Sequence, residues 1–571
     1  MINRLLIALL FLTGGASAFA ADPDATLRVA SYEKALKFAQ DLTQLVHSPA
    51  MAQMLPMFLA QYIKAAPDNP DFKGLDMTKP IYLRMRFPRQ LAQPGTGPGD
   101  KGEGAAYFPV KDFKLFLSGF LPESFLKSDA TALEAGGYGV FFDKAGSGNA
   151  EQYTAWSKLP DPQGAAGVAS FHVAGAYVDE LIDMATQGLA ALKLLAAMQA
   201  GKLGGAGQVQ AQLAAMDGFS NLLQSGRGGV DPVVVSLEDS PQSVALVLRA
   251  APRQGSTFAK RFSATGKPVL NLKGLYAGTA DIELLGNIDL SAETVQWLSG
   301  MNREVYKDIL SPKANEDFAQ CTTHMLASLQ PASLYAAWTL SPQAQWMYIL
   351  HRPGFKADDF VAEMEKMAAI LSAPPEVGKS PLYKSYKFQK NSGKIDATPL
   401  HRVSMEINLD NPLYQQHGQQ DFMKLMALDK MEVLFAASGD YLIFSNNGED
   451  RMREILGRIG RGELAGSQRL ERGDLKFTMN VGKVVQTLTK ASPVPLPPEY
   501  AMAFNALAAG KIYLTCYAGM IKEPLAAVEF SKPGLASLGA AVQSMMLMGM
   551  QGGMGAQAPL PVAPDEQAPA Q

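Results

Sequence analysis

Four cationic residues at the ends of two predicted strands are the first candidates for binding chemistry. His351 and Arg352 end one apolar run, and His401 and Arg402 end another. Imidazole and guanidinium groups at the rim of a sheet suit an anionic ligand, because both donate hydrogen bonds that a charge strengthens. A polar strand end at the surface explains the same residues. The pairs act together only if the fold brings them close.

A methionine cluster near the C-terminus is the second candidate site. Thioether sulfur is a soft ligand that suits Cu(I), and it needs no cysteine. The alternative is a helix end that packs on a sheet, with methionine as an adaptable filler. The 27 methionines of the chain favour this alternative. The clustered residues are Met545, Met546, Met548, Met550 and Met554.

The chain has two cysteines, Cys321 and Cys516. In an oxidising compartment an even pair is typical of a disulfide, and two buried free thiols are the alternative. A bridge here would close a long loop and stabilise the fold by up to ~4–5 kcal/mol on the chain-entropy model.

Motifs for catalysis or cofactor binding are poorly supported. The glycines of 97–102 match G-x-G-x-x-G, but a strand follows them, whereas a dinucleotide site requires a helix there. Ser124 and Lys127 fit S-x-x-K without the companion S-D-N and K-T-G triplets. The six histidines have no H-E-x-x-H or other close metal-binding spacing. We therefore assign no catalytic residue and no cofactor.

Composition narrows the class of protein. The 571 residues are 47% hydrophobic and 18% charged, as in globular proteins with sizeable cores. The net charge is −3 and no long basic run occurs, which argues against nucleic acid as a partner because phosphate binding needs clustered Lys and Arg.

The N-terminus has the pattern of a cleavable signal peptide. Arg4 precedes the apolar stretch Leu5–Leu12, and Ala18-Phe19-Ala20 fits a small-x-small cleavage site. No cysteine lies near that site, so a lipid anchor is not favoured. No later apolar run reaches the roughly 18–20 residues that a spanning helix needs. We expect residues 1–21 to be removed and the protein to be periplasmic or secreted.

The stretch Leu334–Ile370 predicts a β-hairpin followed by an amphipathic helix. Similar units recur, and Ser240-Pro241-Gln242 precedes Pro252 at the spacing at which Ser341-Pro342-Gln343 precedes Pro353. We expect an α+β fold of repeated ββα units, with antiparallel sheets backed by helices. Two related lobes would span 22–315 and 316–550, and residues 551–571 read as a disordered Pro/Ala/Gln tail.

With the Lys79-Pro80 strand and the Tyr107–Asp112 strand-to-helix junction, the chain resembles uncharacterised exported proteins of planctomycete- and verrucomicrobia-like bacteria. The resemblance lies in architecture, and it implies a secreted α+β protein without assigned functional residues.

Three functions fit these observations. The first is a non-enzymatic envelope protein that acts as a binding or scaffold module, with an envelope protein or an apolar molecule as partner. The second is a periplasmic carrier that holds an apolar, lipid-like ligand between sheet and helices. The third is a hydrolase whose dispersed site escapes motif reading.

Overall fold

The computed structural model describes most of the chain between residues 22 and 537. The described ranges are 22–46, 73–87, 103–120, 130–143, 150–162, 164–203, 226–256, 280–289, 292–306, 310–340, 344–373, 380–411, 428–466, 470–491, 512–519 and 524–537, with a few isolated positions besides. Residues 1–21, 551–571 and the five clustered methionines lie outside them, so the signal peptide, the tail and the copper hypothesis stay predictions.

The fold is α+β, as predicted, and its centre is one antiparallel sheet in which the described residues supply eighteen strands. The strands of the first half are β1 Ala25–Val29, β2 Ile81–Arg86, β3 Glu103–Pro109, β4 Ala130–Ala135, β5 Tyr138–Asp143, β6 Ala169–Val173, β7 Val230–Asp239 and β8 Ser243–Pro252. Those of the second half are β9 Ile282–Ile288, β10 Ala332–Thr339, β11 Gln345–His351, β12 Tyr383–Ile395, β13 Thr398–Ile407, β14 Lys430–Ser438, β15 Tyr441–Ser445, β16 Leu475–Asn480, β17 Tyr513–Gly519 and β18 Leu525–Ser531.

Helices connect the strands and cover the sheet. They are α1 Tyr32–Val46, α2 Phe113–Phe120, α3 Ala150–Ser157, α4 Gly175–Leu203, α5 Ala292–Tyr306, α6 Pro312–Ser328, α7 Ala357–Ser372, α8 Gly448–Gly460 and α9 Val481–Ala491. Among the described helices, none has the length and apolar character needed to cross a bilayer.

The predicted hairpin and helix of Leu334–Ile370 are confirmed as β10, β11 and α7. Local chemistry explains the elements on either side. Ser311 caps α6 by accepting a hydrogen bond from the Ala314 amide, and Pro312 occupies the first helical turn, where its missing N–H costs nothing. Asp358 and Asp359 place negative charge at the positive end of α7.

From one edge of the described sheet to the other, the strand order is β4-β5-β3-β2-β1-β6-β7-β8-β18-β17-β16-β9-β10-β11-β15-β14-β13-β12. The same pairings occur twice in this order. β1 pairs with β2 and β6 as β9 pairs with β10 and β16. The series β2-β3-β5-β4 matches β10-β11-β15-β14, and β6-β7-β8 matches β16-β17-β18.

The halves meet through counterpart strands. β8 pairs antiparallel with β18, and Val247 lies opposite Ala527 at the centre of the pair. Counterpart strands that pair in this way are what an approximate twofold axis produces. We call β1–β8 the N-terminal half and β9–β18 the C-terminal half.

Hydrogen bonds outside the strand ladders repeat as well. The Ala174 amide donates to the Asp24 carbonyl at 2.8 Å, and the Asn480 amide donates to the Asp281 carbonyl at 2.7 Å. The carboxylates of these two buried aspartates also correspond. Asp24 accepts from the Phe87 amide at 2.9 Å, and Asp281 accepts from the Leu340 amide at 2.8 Å. We call Asp24 and Asp281, with these hydrogen bonds, the anchors of the two halves. They fix which residue of one half corresponds to which residue of the other.

The repeat in the pairing order differs from the one that the sequence suggested. The matched Ser-Pro-Gln segments belong to the β7–β8 and β10–β11 connections, but the counterpart of β7–β8 is β17–β18. In the chain, the N-terminal half ends with β8 at Pro252 and the C-terminal half begins with β9 at Ile282. Two separate lobes and a ββα repeat stay predictions.

Candidate functional site

The four residues predicted from strand ends do not come together. His351 ends β11 and lies against the Tyr441 ring, with 4.6 Å between ring centroids. His401 lies inside β13, where its buried ring stacks on Phe435 at 4.7 Å. β14 and β15 separate the two strands, and the histidines face opposite sides of the sheet. Burial lowers the pKa of both imidazoles.

The arginines of these pairs also have separate surroundings. Arg402 forms ion pairs with Glu432 at 3.4 Å and with Glu449 at 3.5 Å. Arg352 follows β11, and its amide donates to the Asp440 carbonyl at 2.8 Å. The arrangement therefore gives no support to a joint anion site at these four residues, which is a correction to the expectation from sequence.

Both cysteines are free thiols, so the predicted bridge is not formed. Cys321 lies on α6 and Cys516 on β17. Burial, together with the neighbouring Glu363 carboxylate, raises the pKa of Cys321 to about 11, so this thiol is a poor nucleophile and metal ligand near neutral pH.

The strongest candidate site is a polar group in the N-terminal half, on the face of the sheet that α3 covers. We name it the Arg84 cluster. Its strands are adjacent, since Arg28 of β1 lies opposite Tyr82 of β2, and Tyr82 lies opposite Tyr107 of β3. Its members are Arg28, Tyr82, Arg84, Tyr107, Tyr138, Asp161 and His172.

Arg84 is the centre of the cluster and is only 2% exposed. Its guanidinium lies over the Tyr82 ring at 4.8 Å and the Tyr107 ring at 5.4 Å. Nη2 donates to the Leu159 carbonyl at 3.1 Å. Within the described part of the chain, Nε and Nη1 are buried without a hydrogen-bond partner. Unmet donors on a buried cation are costly, so they indicate a place where a further acceptor would bind.

A short segment between α3 and β6 closes the cluster. Asp161 accepts two hydrogen bonds from Arg28, from Nε at 2.9 Å and from Nη2 at 3.2 Å. The Tyr82 hydroxyl donates to the same carboxylate. The Asp161 side chain is 48% exposed, whereas that of Arg28 is 14% exposed, so the mouth of the cluster lies at Asp161.

The electrostatics of the cluster favour negative charge. Two arginines face one carboxylate, and His172 is neutral at neutral pH because burial, aided by Arg28, lowers its pKa to about 4. Burial opposes the charged form of Asp161, but hydrogen bonds from Arg28 and Tyr82 outweigh it and lower the pKa. Burial raises the pKa of Tyr82, so its hydroxyl remains a donor. The cluster carries a net charge of about +1, counting groups at their ordinary charges.

A serine and a histidine in the cluster lack the geometry for hydrolysis. Ser170 Oγ and His172 Nε2 are 2.9 Å apart, on neighbouring same-face positions of β6. His172 Nδ1 has no hydrogen-bond partner among the described residues, whereas a catalytic histidine is oriented by one. Ser170 is 1% exposed, and a histidine of pKa about 4 is a weak base. This pair is better explained as a structural hydrogen bond.

The C-terminal half shows what the same positions hold when the site is absent. Counting from the shared anchors, Leu285 corresponds to Arg28, Ala337 to Arg84, Ile349 to Tyr107 and Thr478 to His172. Of the three tyrosines, Tyr82 and Tyr138 keep their type, as Tyr335 and Tyr441. Leu285 and Ile349 belong to an apolar core that packs against α8. The fold therefore does not require charges at these positions.

Reasoning from sequence missed the Arg84 cluster. Tyr82, Arg84 and Arg86 alternate along β2, a pattern that usually marks the solvent side of a strand. The remaining residues come from distant parts of the chain.

A scan against protein-family models and searches of curated proteins and solved structures found no match.

Proposed function

We propose that this protein is a non-enzymatic binding module of the bacterial envelope, and that its N-terminal half carries the ligand site. The observation that carries the proposal is the buried Arg84, whose Nε and Nη1 lack partners among the described residues. Its counterpart Ala337 contributes to an ordinary apolar core. Export is supported by the pattern of residues 1–21, and a duplicated half-sheet is supported by the repeated pairings.

The arrangement favours binding over catalysis. The cluster has donors, aromatic rings and one carboxylate held by Arg28, but its serine is inaccessible and its histidine is a weak base. In the C-terminal half, the interface between the sheet and α7 is filled by large side chains such as Phe360, Phe435 and Phe444. A carrier of apolar molecules is therefore less well supported there.

Native mass spectrometry of the protein purified from the periplasm tests this function. We expect a co-purifying small molecule that is lost in Arg84→Met. Arg402→Met is the control, because Arg402 is a partly buried arginine of the C-terminal half that already has two carboxylate partners. An unliganded wild type that also fails to bind any member of a small-molecule library, judged by thermal shift, contradicts the proposal.

A further inference from the structure

We propose that the Arg84 cluster binds a small carboxylate, and that Asp161 is an internal competitor which the ligand displaces. This inference rests on the proposed function and names its ligand class. The ligand carboxylate takes the place of Asp161 on Arg28 and Tyr82, and it gains the donors of Arg84 that are unpartnered within the described chain.

The resident carboxylate shows the chemistry of the site. Arg28 holds Asp161 through Nε and Nη2, the two-point geometry in which a guanidinium recognises a carboxylate, and the Tyr82 hydroxyl adds a third donor. The Asp161 side chain is more exposed than that of Arg28, so the bond between them can exchange for one to a dissolved carboxylate without unfolding the sheet.

One segment covers both arginines. Leu159 supplies the carbonyl on Arg84, and Asp161 supplies the carboxylate on Arg28, two residues further along. A displacement of this segment therefore releases the Nη2 donor of Arg84 and both donors of Arg28 together. Gly164 follows with φ of +78°, a conformation that suits a pivot, since glycine adopts it without strain.

Neighbouring charges do not cancel the attraction. Glu103, on the same face, is 3.7 Å from Arg86 and also accepts from Gln152 at 3.1 Å. His172 faces Arg28 and Asp161 as a neutral ring at neutral pH. With Asp161 displaced, the ligand carboxylate would meet Arg28 and Arg84, and no other carboxylate of the described chain is hydrogen-bonded to either arginine.

Isothermal titration at constant ionic strength tests the proposal with acetate, benzoate and succinate as probes, and with chloride, phosphate and glycerol for comparison. Because each tenfold change in affinity is about 1.4 kcal/mol, loss of one charged contact should change affinity at least about tenfold. We expect Arg84→Met to bind carboxylates at least about tenfold more weakly. Asp161→Asn should bind them more tightly, since it removes the competitor. Arg402→Met should match the wild type.

Opposite effects of the two variants separate a binding site from a structural one. If Asp161→Asn binds carboxylates as weakly as the wild type or more weakly, Asp161 is not a competitor of the ligand. If Arg84→Met binds them as well as the wild type, the Arg84 cluster is not the binding site. If either variant fails to fold, the thermal midpoint of the wild type decides: acetate must raise it above chloride at equal ionic strength. Phosphate binding as tight as that of the carboxylates would contradict the carboxylate ligand class. Glycerol binding that is unchanged in Arg84→Met would contradict an anion site. Neither result would contradict the proposed binding function.

Discussion

At the scale of single residues, the chemistry of this protein depends on the environment of a few polar side chains. Arg84 and Arg402 are both strand arginines with a buried Nε that has no hydrogen-bond partner in the described chain. Arg402 has two carboxylate partners, whereas Arg84 has a carbonyl and two aromatic rings, and its Nη1 is unpartnered there as well. The difference between these two arginines therefore lies in how deeply each is buried and in whether carboxylates surround it.

His172 should make the protein sensitive to acid. Its pKa is about 4 in the folded state, below its ordinary value of 6.5, so between these pH values the unfolded chain takes up a proton that the folded protein does not. The free energy of unfolding should therefore decrease as the pH is lowered across that window, by up to about 1.4 kcal/mol per pH unit. When the pH is lowered from 7 to 5, the free energy of unfolding of His172→Gln should decrease by roughly 1–2 kcal/mol less than that of the wild type, because the variant lacks the titrating imidazole.

Urea unfolding at the two pH values measures this difference. Arg28 and Asp161 remain in the variant, so the acid loss due to Asp161 persists below the window. Identical pH slopes for the two proteins would show that His172 is not the acid-sensitive group.

At the scale of elements, two glycines hold counterpart turns in the same left-handed backbone conformation. Gly167 precedes β6 with φ of +74°, and Gly473 precedes β16 with φ of +58°. A Cβ on Gly167 would overlap the Leu237 carbonyl, and one on Gly473 would overlap the Ala518 carbonyl. The shared constraint is steric and does not depend on the side chains of the neighbouring strands.

Alanine at either glycine should destabilise the fold by at least about 2 kcal/mol, because backbone overlap adds to the strain of a positive φ. Gly439→Ala is the matched control. Gly439 has φ of +57° but open space around its Cβ position, so only about 1 kcal/mol is expected. Thermal unfolding measures the three changes, and equal effects would contradict the steric argument.

The two buried aspartates that precede β1 and β9 should both stabilise the fold through the same kind of hydrogen bond. Asp24→Ala and Asp281→Ala each leave a backbone amide, of Phe87 or Leu340, without its acceptor, which costs about 1–3 kcal/mol. Asp281 also lies 3.2 Å from Lys483, so its replacement should have the larger effect.

Asp112→Ala is the control for these aspartates. Asp112 caps α2 through an exposed hydrogen bond to the Leu115 amide at 2.9 Å, and its loss should cost only about 0.5–1 kcal/mol. Denaturant unfolding compares the three variants, and an effect of Asp24→Ala no larger than that of Asp112→Ala would argue against the shared anchor.

At the scale of the whole molecule, the pairing of β8 with β18 joins the two halves into one sheet. Val247 and Ala527 lie opposite each other and are 0% and 3% exposed, while the neighbouring Leu246 on the other face is 54% exposed. The buried face of this pair therefore determines how strongly the halves are held together.

Val247→Asp should destabilise the protein by at least about 3 kcal/mol, since it buries a carboxylate without a partner. Leu246→Asp, one residue away on the exposed face, should change stability by no more than about 0.5–1 kcal/mol. Scanning calorimetry measures both variants. Similar effects at the two positions would contradict the central role of this strand pair.

Local patterns alone determine the elements of this protein. Two apolar, aromatic-rich runs that flank a turn predict β10 and β11, and an amphipathic spacing of apolar residues predicts α7. Such signals arise between residues close in sequence, where backbone geometry fixes which side chains share a face. They suffice for the α+β class.

Only the tertiary structure decides the strand order, the correspondence of the halves and the Arg84 cluster. Asp161 is 133 residues from Arg28 in the sequence and 79 from Tyr82, and no local pattern reports such contacts. The alternation of β2 predicts an exposed Arg84, but α3 and the segment after it cover that face. Burial by distant elements thus turns an ordinary strand arginine into the centre of the proposed site.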